Sequence, residues 1–181
     1  MRRWIEIVYL LWWAWLCMAL LHELGHIAVG CAVGGDLEHF ELRPWCLPHS
    51  LFASNSFPLL TLWAGPILGS VSVLVVAAIV RRQAVWFVAW FSVVANGLYL
   101  LAGYYSGDSE LDSTKMLQEG TPAWMLIAVG AAMSIAGYIG FRSEFQRAVS
   151  GNASPLSLRS IVISAGAMVI LVLLLAVMGS R

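Results

Sequence analysis

Five stretches of this chain, residues 4–33, 57–80, 84–105, 122–141 and 158–178, are apolar over about the 20 residues a helix needs to cross a hydrocarbon core. In lipid every backbone N–H and C=O requires an internal partner, so runs of this length fold as helices. The expected fold class is therefore an all-α polytopic membrane protein with about five transmembrane helices. Composition agrees: 60% of the 181 residues are hydrophobic and 11% are charged, whereas a soluble domain carries about a quarter charged residues. The length allows one unit, residues 1–181, with no room for a second sizeable soluble domain. The formal net charge is zero, which excludes a general attraction to nucleic acid.

The connections between the spans differ in character. Residues 34–56 contain Gly34-Gly35, two prolines and the alternating stretch Leu37-Glu38-His39-Phe40-Glu41-Leu42, which predicts a small β-hairpin or edge strand near the membrane surface. Arg81-Arg82 forms a short basic turn. Residues 106–121 are polar and acidic, with Asp108, Glu110, Asp112 and Glu119, and residues 142–159 read as a basic loop. Arg2, Arg3, Arg81, Arg82, Arg142, Arg147 and Arg159 fall on one side of a five-span path. Positive charge marks the cytoplasmic side, which puts the N-terminus inside and the acidic segment outside. The apolar run after Met1-Arg2-Arg3 is far longer than the roughly 7 to 15 residues of a signal core, so it reads as a retained membrane helix. The cysteines, Cys17, Cys31 and Cys46, form no CxxC pair and read as thiols without a metal or disulfide role.

One feature interrupts the first span: His22-Glu23-Leu24-Gly25-His26. Residues four apart share a helix face, so the His22 and His26 imidazoles project toward one point and supply half of a tetrahedral zinc site. Glu23 lies beside the first ligand, where a carboxylate can act as general base toward a water. Zinc lowers the pKa of a bound water toward about 7, which makes hydroxide available at neutral pH. A charged side chain inside a membrane helix costs a few kcal/mol. A carboxylate and two imidazoles in one apolar run therefore call for a metal, water or polar partner. A third protein ligand must come from elsewhere. His39, His49, Asp108, Glu110 and Asp112 are all candidates, and spacing alone does not choose among them.

These residues, taken together, resemble the site-2 protease group of intramembrane zinc metalloproteases (peptidase family M50 and its small relatives). The resemblance rests on the HELGH run in a membrane helix, Gly34-Gly35 before a strand-like segment, Ala64-Gly65-Pro66 with Gly69, and Asn96 followed by Leu111-Asp112-Ser113 with Leu117. It covers roughly residues 10–122. It implies a zinc metallopeptidase in which His22, His26 and Asp112 hold Zn2+ and Glu23 is the catalytic base. It also implies a membrane-embedded protein or peptide substrate, and a location in the cell membrane, multi-pass in the lipid bilayer. The chain departs from the family pattern at Ser113, where the family usually has glycine, and it lacks the prolines expected between the asparagine and the aspartate. Asp108 thus stays an alternative ligand. Well-known members hold the site nearer the cytoplasm, whereas the arginine count places it nearer the outer face.

Two further readings follow from the same residues. A catalytically inactive zinc-binding protein, acting as sensor or partner-binding scaffold, would use the same ligands without needing Glu23. An ion or proton pathway would require more charged residues inside the other spans than the sequence contains. Asn96 is expected to be a structural hydrogen-bonding residue or a binder of substrate backbone, and Gly65, Gly69, Gly97, Gly130 and Gly137 are expected to serve close helix packing.

Overall fold

The computed structural model describes residues 2–43, 46, 48–151, 165–167 and 169–174. From residue 2 to residue 151 these form five helices and one hairpin: α1 (Arg2–Ala32), β1 (Asp36–Glu41), β2 (His49–Ser54), α2 (Pro58–Val80), α3 (Gln83–Ser106), α4 (Asp112–Gln118) and α5 (Ala123–Ser150). Four of these helices, α1, α2, α3 and α5, are long and apolar enough to cross a membrane. Of the predicted fifth span, residues 165–167 and 169–174 are helical and the remainder lies outside the described residues, as do Trp45 and Arg159.

Local chemistry sets the element ends. Pro58 occupies the first turn of α2, where its missing N–H costs nothing. That helix ends at Arg81, in the left-handed region at φ 52°, where the Arg81 N–H bonds the Ala77 carbonyl at 2.8 Å. Arg82 then starts α3, so two residues suffice to reverse the chain. Two predicted loops are partly helical. Residues 142–150, read as a basic loop, continue α5 up to Gly151 in the left-handed region at φ 78°. Hydropathy had marked where the apolar run stops, and a helix carries on past that point when its polar residues pair along it, as Arg147 does with Glu144 at 3.0 Å. Residues 112–118, inside the acidic segment, form α4. The predicted hairpin is present as an antiparallel pair with irregular register, Asp36 opposite Ser54, His39 opposite Leu51 and Glu41 opposite His49.

The four long helices run alternately up and down. α3 packs against α5 on one side and against α1 and α2 on the other. Val73, Ala77 and Ala89 form one core cluster between α2 and α3, and Leu100, Met116 and Leu126 form another where α4 meets α3 and α5. The outward faces stay apolar, with Ile79 74% and Ile139 64% exposed, which is the surface a helix presents to lipid. Small residues draw the helices together. A methyl on Gly97 would lie 2.6 Å from the Ser134 amide nitrogen, and one on Gly25 would lie 2.6 Å from the Ala64 carbonyl oxygen.

Arg3 donates to the Val149 carbonyl at 3.4 Å, which brings the start of α1 to the end of α5. The Arg81-Arg82 turn lies at that same end of the bundle. The hairpin and α4 lie at the opposite end, with Asp36, Glu38, Glu41, Asp108, Glu110, Asp112 and Glu119.

Candidate metal centre

His22, Glu23 and His26 are all buried on the second half of α1, where the helix crosses α2 and α3. Each imidazole is held from behind. The His22 Nδ1 lies 2.6 Å from Asn96 Oδ1, and the His26 Nδ1 lies 2.8 Å from the Thr61 carbonyl. Both partners only accept. The Asn96 orientation is fixed by its other bonds, since its Nδ2 donates to the Ser92 carbonyl at 3.0 Å and to Ser70 Oγ at 3.1 Å. Both Nδ1 atoms therefore carry the proton, and in a neutral ring the Nε2 lone pair is left to coordinate.

Both Nε2 atoms point at one carboxylate oxygen. Asp112 Oδ2 lies 3.1 Å from His22 Nε2 and 3.1 Å from His26 Nε2. Three acceptor atoms converge there, and such a set is stable only around a cation or a proton. Bonds of about 2.0–2.1 Å at tetrahedral angles put neighbouring ligand atoms about 3.3 Å apart, close to the spacing seen. Gly65 keeps the neighbouring space open: a methyl there would run into His26 Nε2 and come within 2.9 Å of His22 Nε2. The donor set, two imidazoles and one carboxylate, fits zinc with an open fourth position.

Asp112 reaches the centre because α4 is tied to α3. The Ser113 hydroxyl donates to the Tyr99 carbonyl at 3.1 Å and accepts from the Gly103 N–H at 3.1 Å, the two groups an unbroken α-helix would join directly. Thr114 Oγ1 adds a bond to the Gly103 carbonyl at 3.2 Å. Burial alone would push the Asp112 carboxyl up, but the two imidazoles facing it outweigh that and hold it well below the ordinary carboxylate range. Asp108 and Glu110 are not brought to the centre. Both are exposed, and Asp108 Oδ1 accepts from the Glu110 N–H at 3.0 Å. His39 and His49 sit on the hairpin, with ring centres 5.5 Å from each other.

Glu23 stands beside the ligands with Ser50 Oγ, from β2, 3.3 Å from its Oε2. Together with His22 it lines a cavity of about 230 Å³ that also involves Trp15, Met18, Pro48 and Tyr99. Apart from Glu23, His22 and the Tyr99 hydroxyl, this lining is apolar. Tyr99 sets its ring edge-on to His22, with ring centres 5.3 Å apart.

Asn96 has the structural hydrogen-bonding role expected of it, though its grip on His22 depends on the crossing of α1 and α3. Three contributors escape a reading of the sequence. The Thr61 carbonyl is backbone and leaves no sequence mark. Ser50 sits in an unpatterned strand, and Ser113 registers only as a departure from glycine. Comparison with known proteins adds no relative: no family model, no curated protein and no solved structure matches the chain.

Proposed function

We propose that this protein is an intramembrane zinc metalloendopeptidase, multi-pass in the cell membrane, that hydrolyses peptide bonds within or next to the bilayer. One observation carries the reading: two imidazoles, each with its Nδ1 already bonded, aim their free nitrogens at one carboxylate oxygen, beside a cavity that Glu23 lines.

His22, His26 and Asp112 would hold the metal. Zinc, when bound, supplies a Lewis acid that polarises the scissile carbonyl and acidifies a water. Glu23 takes the proton of the attacking water and later delivers it to the leaving amine. Ser50 Oγ fixes one Glu23 oxygen and leaves the other to face the reacting atoms. The apolar wall of Trp15, Met18 and Pro48 excludes water and receives a hydrophobic substrate side chain. A helical substrate must unwind before its carbonyl is reachable, because its backbone is otherwise paired internally. Among the described residues each hairpin strand pairs with one other strand, and an unwound segment can add to the sheet as a further strand. The centre lies in the half of α1 away from the arginine end, which by the positive-inside rule is the half toward the non-cytoplasmic face.

The competing reading is a zinc-binding sensor or scaffold without catalysis. A pair of variants separates the two. Glu23→Gln should retain zinc and lose cleavage of a single-span reporter by at least about 100-fold, the scale of general-base catalysis. His22→Ala should lose both zinc and cleavage. Unchanged processing by Glu23→Gln would remove the peptidase reading and leave the scaffold.

A further inference from the structure

The chain has four histidines, and they fall into two pairs. His22 and His26 have ring centres 4.8 Å apart, and His39 and His49 have ring centres 5.5 Å apart. Imidazoles sharing one metal at bonds of about 2.0–2.1 Å hold their ring centres about 4.6 Å apart at a right-angled bite and about 5.6 Å apart at 120°. Both pairs fall inside that interval. The second pair owes its spacing to the sheet. Glu41 is directly opposite His49, and His39 precedes Glu41 by two residues, so all three side chains share one face, with the two histidines diagonal across the strands.

We propose that His39 and His49 form a second, independent metal site, a cross-strand bis-imidazole that takes a divalent transition ion such as Zn2+ or Cu2+. Two imidazoles suit borderline metals and reject Ca2+ and Mg2+, which want oxygen donors. The nearby carboxylate does not complete the set. Glu41 is committed to Arg43, which contacts it through its backbone N–H at 2.8 Å and through its guanidinium. Water must fill the remaining positions, so the hairpin site binds more weakly than the three-ligand centre and exchanges its ion. Its place gives it a consequence. His49 adjoins Ser50, whose hydroxyl meets Glu23, so an ion here staples β1 to β2 at the strand pair that leans on the base. Metal binding at the hairpin is independent of peptidase activity.

The test uses the full chain, purified in detergent without a histidine tag and equilibrated by dialysis against micromolar Zn2+. The wild type should hold two equivalents. His39→Gln and His49→Gln should each hold one, with at least a tenfold weaker residual uptake of the second, and His22→Ala should also hold one. Cu2+ added to zinc-loaded wild type should give an electron paramagnetic resonance spectrum with two nitrogen ligands, lost in either hairpin variant. That second measurement needs no variant for its first half, so it stands even if a substitution disturbs the hairpin. A wild type that holds one equivalent which only His22→Ala removes would overturn the proposal, as would hairpin variants that keep two equivalents or the unaltered Cu2+ spectrum. A single equivalent lost in the hairpin variants but kept in His22→Ala would uphold the hairpin site and count against the buried centre instead.

Discussion

Two helix seams in this molecule are built from small residues, yet they serve different ends. Between α3 and α5, Gly97, Gly130 and Gly137 let backbones touch: a methyl on Gly137 would collide with Val94, and one on Gly130 would lie 3.1 Å from the Gly97 carbonyl oxygen. Between α1 and α2, Gly25 and Gly69 do the same, and a methyl on Gly69 would lie 3.1 Å from the His22 backbone. Gly65 is the exception, because what its missing side chain spares is the pair of imidazole nitrogens. A glycine in one seam is packing, and in the other it is the floor of the proposed metal centre. Only the partners across the seam distinguish them.

That contrast can be broken by one pair of substitutions. Gly65→Ala puts a methyl against His26 Nε2. It should abolish zinc uptake and with it all proteolysis. Gly137→Ala overpacks the other seam and should cost about 1–3 kcal/mol of stability, while zinc content per folded molecule stays at the wild-type value. Metal analysis and thermal unfolding on the same preparations would check both. Equal zinc loss in the two variants would mean that the seams differ in nothing but position.

The next effect in size belongs to Asn96. It is fully buried, and its Oδ1 lies 2.6 Å from the His22 Nδ1. Asn96→Leu keeps the branched shape and heavy-atom count and removes the acceptor, so the ring loses its fixed tautomer. Zinc affinity should fall about 10- to 100-fold, the usual cost of losing a partner behind a metal-binding histidine. Competition with a chromophoric chelator measures it. Asn96→Asp should restore most of the loss, since the acceptor returns.

Ser113→Ala is predicted to act more gently and through α3. Without the hydroxyl, the Gly103 N–H and Tyr99 carbonyl must rejoin across the gap it filled or stay unpaired, at about 1–3 kcal/mol for a buried unsatisfied group. Thr114 still ties α4 to Gly103, so Asp112 keeps its approach and zinc is retained. The measurable change is a lower unfolding temperature with zinc stoichiometry intact.

The sequence made some of this legible and hid the rest for physical reasons. The four long described helices follow from hydropathy, because lipid imposes helices on apolar runs of that length. The helical spacing of His22 and His26 is local and so was readable. Bringing Asp112 to them requires α3, α4 and the inserted Ser113 hydroxyl together, and no spacing rule encodes three elements at once. The continuation of α5 through residues 142–150 escapes the sequence, because hydropathy reports where lipid ends and says nothing of where backbone hydrogen bonding ends. The hairpin is expected, but the bounds of β2 are not readable, because His49-Ser50-Leu51-Phe52 carries no clean alternation and its partner β1 supplies the order.

The smallest predicted effect lies on the hairpin, at the Glu41–Arg43 pair. The guanidinium hydrogen bonds hold the Glu41 carboxyl down at about 2, against the ordinary 4.5, and they outweigh the opposing effect of burial. A carboxyl whose folded-state pKa is depressed adds stability that is complete above the unfolded pKa and is lost as pH falls toward the folded one. The window here runs from about 4.5 down to about 2. Wild-type hairpin amides should therefore keep their protection from hydrogen exchange until the pH drops well below 4.5, and Arg43→Met should shift that loss upward toward the ordinary carboxylate value. The pair is partly solvated on the arginine side, so the difference should be confined to the hairpin and leave the unfolding of the bundle unchanged. Loss of the buried centre at the same pH as loss of hairpin protection would show instead that Ser50 couples the two regions tightly through Glu23.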